Sequence, residues 1–518
     1  MIWNLHHLLE ESARSAPGSP ALSYRGETLT YSQAWEAVLA AAGRFSSLGL
    51  ARGDRVAIYL EKRFETVVTM FASSVVGAVF VPVNPVLKAH QVHHILSDSG
   101  ARFLVTSTDR HQSLRDALDE TAVEKVLVVG DTLPDAEPGP AVHTWTGEAP
   151  TAAPGPTAID VDPAAILYTS GSTGKPKGVV LSHRNLVVGA QSVSSYLGNS
   201  ADDVILSVLP LSFDAGLSQV TTSFAVGAHC VLMNYLLARD VPRLCAQYGV
   251  TGLTCVPPLW HQLVEASWPE EATSHLRYFA NTGGRMPRAT LDRLRETFAG
   301  ALPFLMYGLT EAFRSTYLDP AEVDRRPNSI GKAIPNAEIL VLRPDGTRCG
   351  PGEEGELVHR GALVGLGYWN DPERTAERYR PVPRPAGEGL VGEELAVWSG
   401  DTVVADEDGF LYFVGRTDEM IKTSGYRVSP TEIEEAAYAT GLVRDAVALG
   451  VEDAQLGQRI VLVVAPAGAD LDVAELTAAL RRELPLYMVP AAVEVRSELP
   501  RSPNGKFDRN LIKTEVTG

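Results

Sequence analysis

The chain has 518 residues, more than one hydrophobic core holds, so two or more domains are expected. Its net charge of −18 argues against nucleic acid or an anionic membrane surface as a main partner, and 45% apolar with 21% charged residues suits a globular enzyme. Cys230, Cys245, Cys255 and Cys349 show neither metal spacing nor a paired framework, and the start lacks a signal peptide's basic-then-apolar pattern; a reduced cytoplasm is expected.

Residues 2–15 read as an amphipathic helix. Residues 21–24 and 28–31 flank Arg25-Gly26 as a hairpin, and a helix starts at Ser32, a capping residue. The pattern then alternates: strand 56–60, helix 64–76, strand 79–83, helix 89–97, strands 103–106 and 126–129. Residues 66–83 carry no charge, but Thr66, Thr69, Ser73, Ser74, Gly77 and Pro82 make them a buried helix and a core strand, not a membrane span. Strands alternating with helices imply an α/β fold with a largely parallel sheet covered on both faces. Residues 131–163, rich in Pro, Ala, Gly and Thr, read as a surface excursion, and 381–394 as a second loose segment.

The excursion leads into the run that organises the chain. After an apolar approach, Thr169-Ser170-Gly171-Ser172-Thr173-Gly174-Lys175 holds only hydroxyls, glycines and a lysine; Pro176-Lys177-Gly178 then leads into apolar Val179-Val180-Leu181. Glycines let backbone N–H groups turn inward, and such a concave run beside hydroxyls and a cation suits a polyphosphate. The arrangement is strand, loop, strand. In the P-loop of kinases and GTPases, Gly-Lys-Ser/Thr opens a helix instead, and here Pro176 follows Gly174-Lys175.

Four further stretches carry chemistry-bearing residues: Tyr307-Gly308-Leu309-Thr310-Glu311 after a strand-like 304–306; Ser399-Gly400-Asp401; 415–428, from Gly415-Arg416-Thr417-Asp418 to Gly425-Tyr426-Arg427-Val428; and Arg501 to Asp508, with Lys506 on a Pro503-Asn504-Gly505 turn. A tyrosine and a carboxylate at a strand's end lie where open α/β sheets bind ligands. Each stretch alone is weak: Gly-Asp is commonly a turn, and a lysine near a terminus is commonly solvated.

Together these stretches resemble, over nearly the whole chain, the adenylate-forming superfamily of acyl-CoA synthetases, nonribosomal adenylation domains and luciferases. The resemblance implies a large N-terminal domain of αβ-layered sheets, 1–414, and a small α+β C-terminal domain, 415–518, joined by a hinge. The small domain is expected to hold a helix at 431–438, strands at 445–449 and 459–465 and a helix at 473–483. The implied reaction joins a carboxylate to AMP, releases pyrophosphate, and passes the acyl group to a thiol.

By the same resemblance ATP is bound by Thr169, Ser170, Gly171, Ser172, Thr173, Gly174, Lys177, Tyr307, Gly308, Thr310, Asp401, Phe413 and Arg416. Tyr307 stacks on adenine, Asp401 accepts from the ribose hydroxyls, and Glu311 holds Mg²⁺. Lys506, Glu311, Thr310 and Thr169 act in catalysis. Asp418 is the hinge pivot and Gly425 lines the thiol channel. Ser399 replaces the family's usual threonine.

The acid pocket is implied at Phe213, Asp214, Ala215, Ser218, Cys255, Ala280, Thr282, Gly283, Met306, Arg314 and Ser315. Phe213-Asp214 resembles amino-acid-activating members, in which the aspartate binds the substrate's ammonium; many acyl-CoA synthetases have histidine at the position of Phe213. Residues 213–219 and 307–317 also look like acyl-CoA ligases associated with exosortase systems. Arg314 either pairs with Asp214, leaving no amine site, or faces an anionic group. No carrier domain follows Gly518, so the acceptor thiol is expected from coenzyme A or the phosphopantetheine of a separate carrier protein. The expected substrate is an amino acid, with a non-amino acyl or aryl acid as the alternative. A nucleotide binder without catalysis is disfavoured by Glu311, Asp401 and Lys506, and nothing selects for a luciferase's oxygen chemistry.

Overall fold

The computed structural model describes residues 2–118, 120–130, 139–147, 158–169, 176–382, 393–416, 419–423, 426–453, 456–484, 486–503 and 505–517. Among these, strands form sheets of 14, eight and five members. The larger part of the chain is a mixed α/β structure. Its first sheet runs parallel from Pro20–Tyr24 through His229–Leu232, Val204–Ser207, Gly252–Cys255 and Tyr278–Asn281 to Leu302–Tyr307. Beyond Leu302–Tyr307 the pairing turns antiparallel, through Thr316–Leu318, Ser329–Ala333, Leu411–Arg416, Leu395–Ala405 and Glu354–Gly361 to Ala337–Leu342. So only part of this sheet is the parallel array that the alternating pattern implied.

The second sheet is parallel around Arg55–Tyr59 and Val79–Pro82, then antiparallel where Pro163–Thr169 meets Lys177–Ser182. That pair is the strand–loop–strand read from sequence, with Thr169 opposite Lys177; Ser170 to Lys175 lie outside the described residues. Gly178 belongs to the strand rather than to the loop. A Cβ there would stand 2.6 Å from Ile166 Cγ2.

Helices His6–Ser15, Tyr31–Ser47, Phe64–Val76, His183–Leu197 and Asp214–Val226 fill the space between the two sheets, and one apolar core joins them all. Phe64–Val76 holds the first part of the uncharged run; it is buried from Thr66 onward and ends at left-handed Gly77. Lys62, just before it, ties the sheets together. Its Nζ donates to Ser207 O at 2.8 Å and Leu209 O at 2.9 Å, while burial pulls its pKa down to about 7.

Three local expectations are corrected. The first helix starts at His6, not at residue 2. The second is capped by Thr30, whose hydroxyl accepts from Gln33 N while Gln33 Oε1 accepts from Thr30 N; this reciprocal pair moves its start ahead of Ser32. The excursion 131–163 contains a strand, Ala141–Thr144, paired parallel with Lys125–Val129.

The third sheet comprises Ile421–Thr423, Tyr426–Val428, Val443–Asp453, Gly457–Pro466 and Ala492–Val495, with helices Pro430–Ala439, Val473–Glu483 and Arg509–Thr517. Two apolar clusters of its own form its core, as a small α+β unit requires. No helix among the described residues is long and apolar enough to cross a membrane.

Candidate active site

Strand Leu302–Tyr307 delivers the turn on which the site is built. Gly308 permits a close approach there, since a Cβ would stand 3.0 Å from Arg314 Cα. After the short turn Thr310–Ala312, Phe313 takes φ +57°, a conformation costly for a bulky side chain. Its ring enters a slot that Gly189 leaves open in helix His183–Leu197; a Cβ at Gly189 would lie 2.5 Å from it. The reversal brings Arg314 inward, where it is 2% exposed.

On one side of this turn lie Tyr307, Phe413, Asp401 and Arg416. Tyr307 donates its hydroxyl hydrogen bond to Asp401 Oδ2, and Phe413's ring lies 6.3 Å away, tilted by 40°. Burial pushes the Asp401 carboxyl above its ordinary range, with Arg416, at 3.8 Å, and Tyr307 opposing. Asp401 Oδ1 is buried and accepts no hydrogen bond among the described residues. Ser399 Oγ accepts a hydrogen bond from Asp401 N at 3.0 Å.

Glu311 stands at the far end. Tyr368 donates to its Oε1 at 2.6 Å, and Lys177 Nζ lies 3.5 Å from the same oxygen. Burial pushes Glu311's pKa up, but Lys177's charge and Tyr368's hydrogen bond outweigh it and hold the carboxyl below its ordinary value. Thr169, at the end of its strand, keeps a buried hydroxyl that has no hydrogen bond among the described residues.

On the other side a narrow cavity opens between helices His183–Leu197 and Asp214–Val226 and the ends of the parallel strands. Of the residues expected there, Ala215, Ser218, Met306 and Arg314 line it. Asp214 starts its helix beside it, 4.0 Å from Arg314 Nη2. Thr254 lines the cavity and Cys255 does not: neighbours on a strand face opposite ways, and Cys255 packs with Cys245 and Trp260 in another core. Ala280 lies behind Met306 in the apolar wall. Thr282 accepts a hydrogen bond from Arg314 Nη1. Ser315 is fully buried against His359 Nδ1 at 2.9 Å. Phe213 is the residue preceding the helix, where it caps no N–H with its side chain.

Lys506 reaches this site from the third sheet's unit. Its Cε comes within 3.9 Å of where a Cβ on Gly283 would be, and Gly283 has φ +76°. Its charge also acts on Asp401. Asn84 Nδ2 donates to Pro503 O at 3.0 Å and Arg285 pairs with Glu435 at 3.2 Å, so the lysine's turn is seated on the larger part. Asp418 and Gly425 lie outside the described residues.

The profile of the AMP-binding enzyme family matches residues 9–369, and that of the AMP-binding enzyme C-terminal domain matches 432–506. The chain belongs to the AMP-binding enzyme family. It is an ATP-dependent, AMP-forming ligase of the adenylate-forming superfamily. This AMP-binding enzyme is 28% identical to a long-chain-fatty-acid–CoA ligase of Escherichia coli O157:H7, over 99% of this chain and 95% of that one. It is 30% identical to a linear gramicidin synthase of Brevibacillus parabrevis, over 98% of this chain and 6% of that protein. Among solved structures it matches ATP-bound MatB from Rhodopseudomonas palustris with a TM-score of 0.86 and 25% identity, covering 99% of both chains. It matches o-succinylbenzoate CoA synthetase from Bacillus subtilis with a TM-score of 0.84 and 26% identity, covering 98% of this chain and 97% of that one.

Magnesium fits this enzyme as an ion arriving on phosphates. No cluster of three or more His, Cys, Asp or Glu among the described residues could hold it, but Glu311 offers one ionised carboxylate, and Mg²⁺ is commonly bound by one or two carboxylates plus substrate phosphates. Two residues of the AMP-binding enzyme's site carried no sequence signal. Tyr368 arrives on a two-residue strand paired with Lys177–Ser182, and Arg378 lies beside Gly400, where a Cβ would stand 2.2 Å from its Nη1.

Proposed function

We propose that this ligase activates a carboxylic acid bearing an ammonium group and that Asp214 is the ammonium's partner. Asp214 carries the reading. Its carboxylate sits half-buried beside the cavity, 17% exposed, with Arg314 Nη2 at 4.0 Å, beyond hydrogen-bond distance. A carboxylate so placed calls for a cationic partner, which a substrate ammonium supplies.

In this reading Tyr307 and Phe413 flank the adenine, Asp401 receives the ribose hydroxyls, and Thr169, Thr310, Lys177 and the run 170–175 hold the phosphates. Glu311 would hold Mg²⁺, which offsets phosphate charge when bound. The substrate's carboxylate oxygen attacks the α-phosphorus, and the bond to pyrophosphate breaks. Lys506 stabilises the charge gathered there, and the site's contribution is chiefly positioning and electrostatics. A thiol then attacks the acyl carbon, AMP leaves, and the thiol's proton passes to solvent. Residues 415–518 form the moving domain, with Asp418 as pivot and Gly425 on the thiol's path. Coenzyme A suits the family as acceptor; a carrier protein's phosphopantetheine suits an amino-acid substrate.

A second reading has one observation in its favour. Arg314 approaches Asp214 to 4.0 Å, and closing that pair would leave a cavity for a neutral acyl or aryl acid passed to coenzyme A. Pyrophosphate exchange across amino acids, aryl acids and fatty acids tests the choice. Exchange confined to amine-bearing acids supports the first reading; exchange with fatty or aryl acids at equal or higher rates overturns it.

A further inference from the structure

Arg314 is a buried cation whose hydrogen-bonding capacity the protein leaves largely unfilled and whose one nearby carboxylate, Asp214, stands off at 4.0 Å. It lines the acid cavity at 2% exposure. Its guanidinium cannot give up its proton, so its partners must come from the surroundings. One Nη donates to Thr282, a neutral hydroxyl; Nε has no hydrogen-bond partner among the described residues. The carboxylate of Asp214 stands 4.0 Å from the other Nη, beyond hydrogen-bond reach. A buried charge held this way is costly unless something else completes it.

The protein also fixes where this arginine points. Phe313's left-handed backbone, the slot at Gly189 and the close approach at Gly308 together force the turn that sends Arg314 inward. Strain of this kind persists where the surrounding structure over-determines it, and it clusters at ligand sites. Nearby Gln219 cannot take Arg314's place, because its amide is spent on Leu206 O, Thr254 O and Leu209 N.

We infer that Arg314 selects a substrate with a second carboxylate, so that this ligase activates an amino dicarboxylic acid. The distal carboxylate meets the open Nε and Nη2 edge of the guanidinium, a fork that matches a carboxylate's two oxygens. The ammonium goes to Asp214, which rests on the function proposed above, and the remaining carboxylate is adenylated. Arg314 in the cavity and Asp214 beside it thereby each gain a hydrogen-bonded partner of opposite sign, in place of a mutual approach of 4.0 Å.

Pyrophosphate exchange on the full chain tests this with L-aspartate, L-glutamate, their amides L-asparagine and L-glutamine, and the des-amino acids succinate and glutarate. Aspartate or glutamate should exceed its own amide by about 100-fold in kcat/KM, the size expected for a charged hydrogen-bonded pair. Arg314→Met should erase that preference, and Arg314→Lys should keep part of it. Amides activated as well as the diacids, or exchange with none of the diacids, overturns the inference, and neither result needs a folded variant. Succinate or glutarate matching the amino diacid upholds Arg314 and defeats the assignment of Asp214. Neutral amino acids as the sole substrates, with Arg314→Met unchanged, defeats Arg314 and upholds Asp214.

Discussion

Tyr368 donates a 2.6 Å hydrogen bond to Glu311, joining a two-residue edge strand to the turn after Leu302–Tyr307. With Lys177 on the same oxygen, it holds the Glu311 carboxylate in place and ionised. A hydrogen bond to a charged group contributes about 1.5–3 kcal/mol. Tyr368→Phe should therefore slow pyrophosphate exchange by roughly 10- to 100-fold and raise the Mg²⁺ concentration needed for half the maximal rate. An unchanged Mg²⁺ dependence would show that Tyr368 does not orient Glu311.

Lys506→Ala should reduce adenylation by about 10²–10³, the range for losing one preorganised electrostatic contact. Lys506 lies against Gly283 in the present arrangement, its turn held by Asn84. Thioester formation from pre-made acyl-AMP should survive, because in the proposed two-orientation cycle that step follows a rotation that withdraws the lysine. The half-reactions are measured separately, and equal losses in both would contradict the two-orientation account.

Gly216→Ala tests how helix Asp214–Val226 is seated. A Cβ at this position would fall 1.9 Å from Pro210 O and 2.8 Å from Leu209 O, both backbone atoms that cannot swing aside. Overpacking of this kind costs about 1–3 kcal/mol and shifts the backbone. The variant should unfold at lower urea and show a raised KM for the acid, since Asp214 begins the same helix. A KM for ATP close to wild type would confirm that the shift stays on the acid side.

His183 makes the fold acid-sensitive. It is buried, its Nδ1 accepts from Leu5 N at 3.3 Å, and burial pulls its pKa from 6.5 to about 4. Below pH 6.5 the unfolded chain takes up a proton that the folded chain refuses, so stability rises with pH across this window and is lost as pH falls toward 4. By pH 5 the loss from this residue alone is about 2 kcal/mol. His6 and His359, both pulled to about 3, add to it. His183→Gln keeps an acceptor for Leu5 N, and its urea midpoint should fall less between pH 7.5 and pH 5 than that of wild type.

The sequence reveals the nucleotide side more fully than the acid side, for a physical reason. Phosphate and ribose contacts depend on short contiguous runs, such as Tyr307 to Glu311, whose spacing along the chain fixes their geometry. Their partners Tyr368 and Arg378 come from an edge strand and from the end of helix Pro372–Arg378, and leave no local pattern. The acid cavity is assembled from six separate elements, and strand alternation decides membership: Thr254 faces in and Cys255 faces out. The alternating pattern located helix Phe64–Val76 and its flanking strands because a buried parallel run is apolar throughout. It did not show the antiparallel continuation past Leu302–Tyr307, where half-exposed strands such as Ala337–Leu342 carry weaker signals.

The assignment of Asp214 is tested most directly by pyrophosphate exchange with one amino acid and its des-amino twin, on wild type and on Asp214→Asn. Leaving a buried charge without its partner costs about 3–5 kcal/mol, so the wild type should favour the amino acid by at least 10²-fold in kcat/KM and the variant should lose that preference. If the wild type activates the des-amino acid as well as its twin, and Asp214→Asn changes both alike, Asp214 is not the ammonium's partner and the cavity takes a neutral acid.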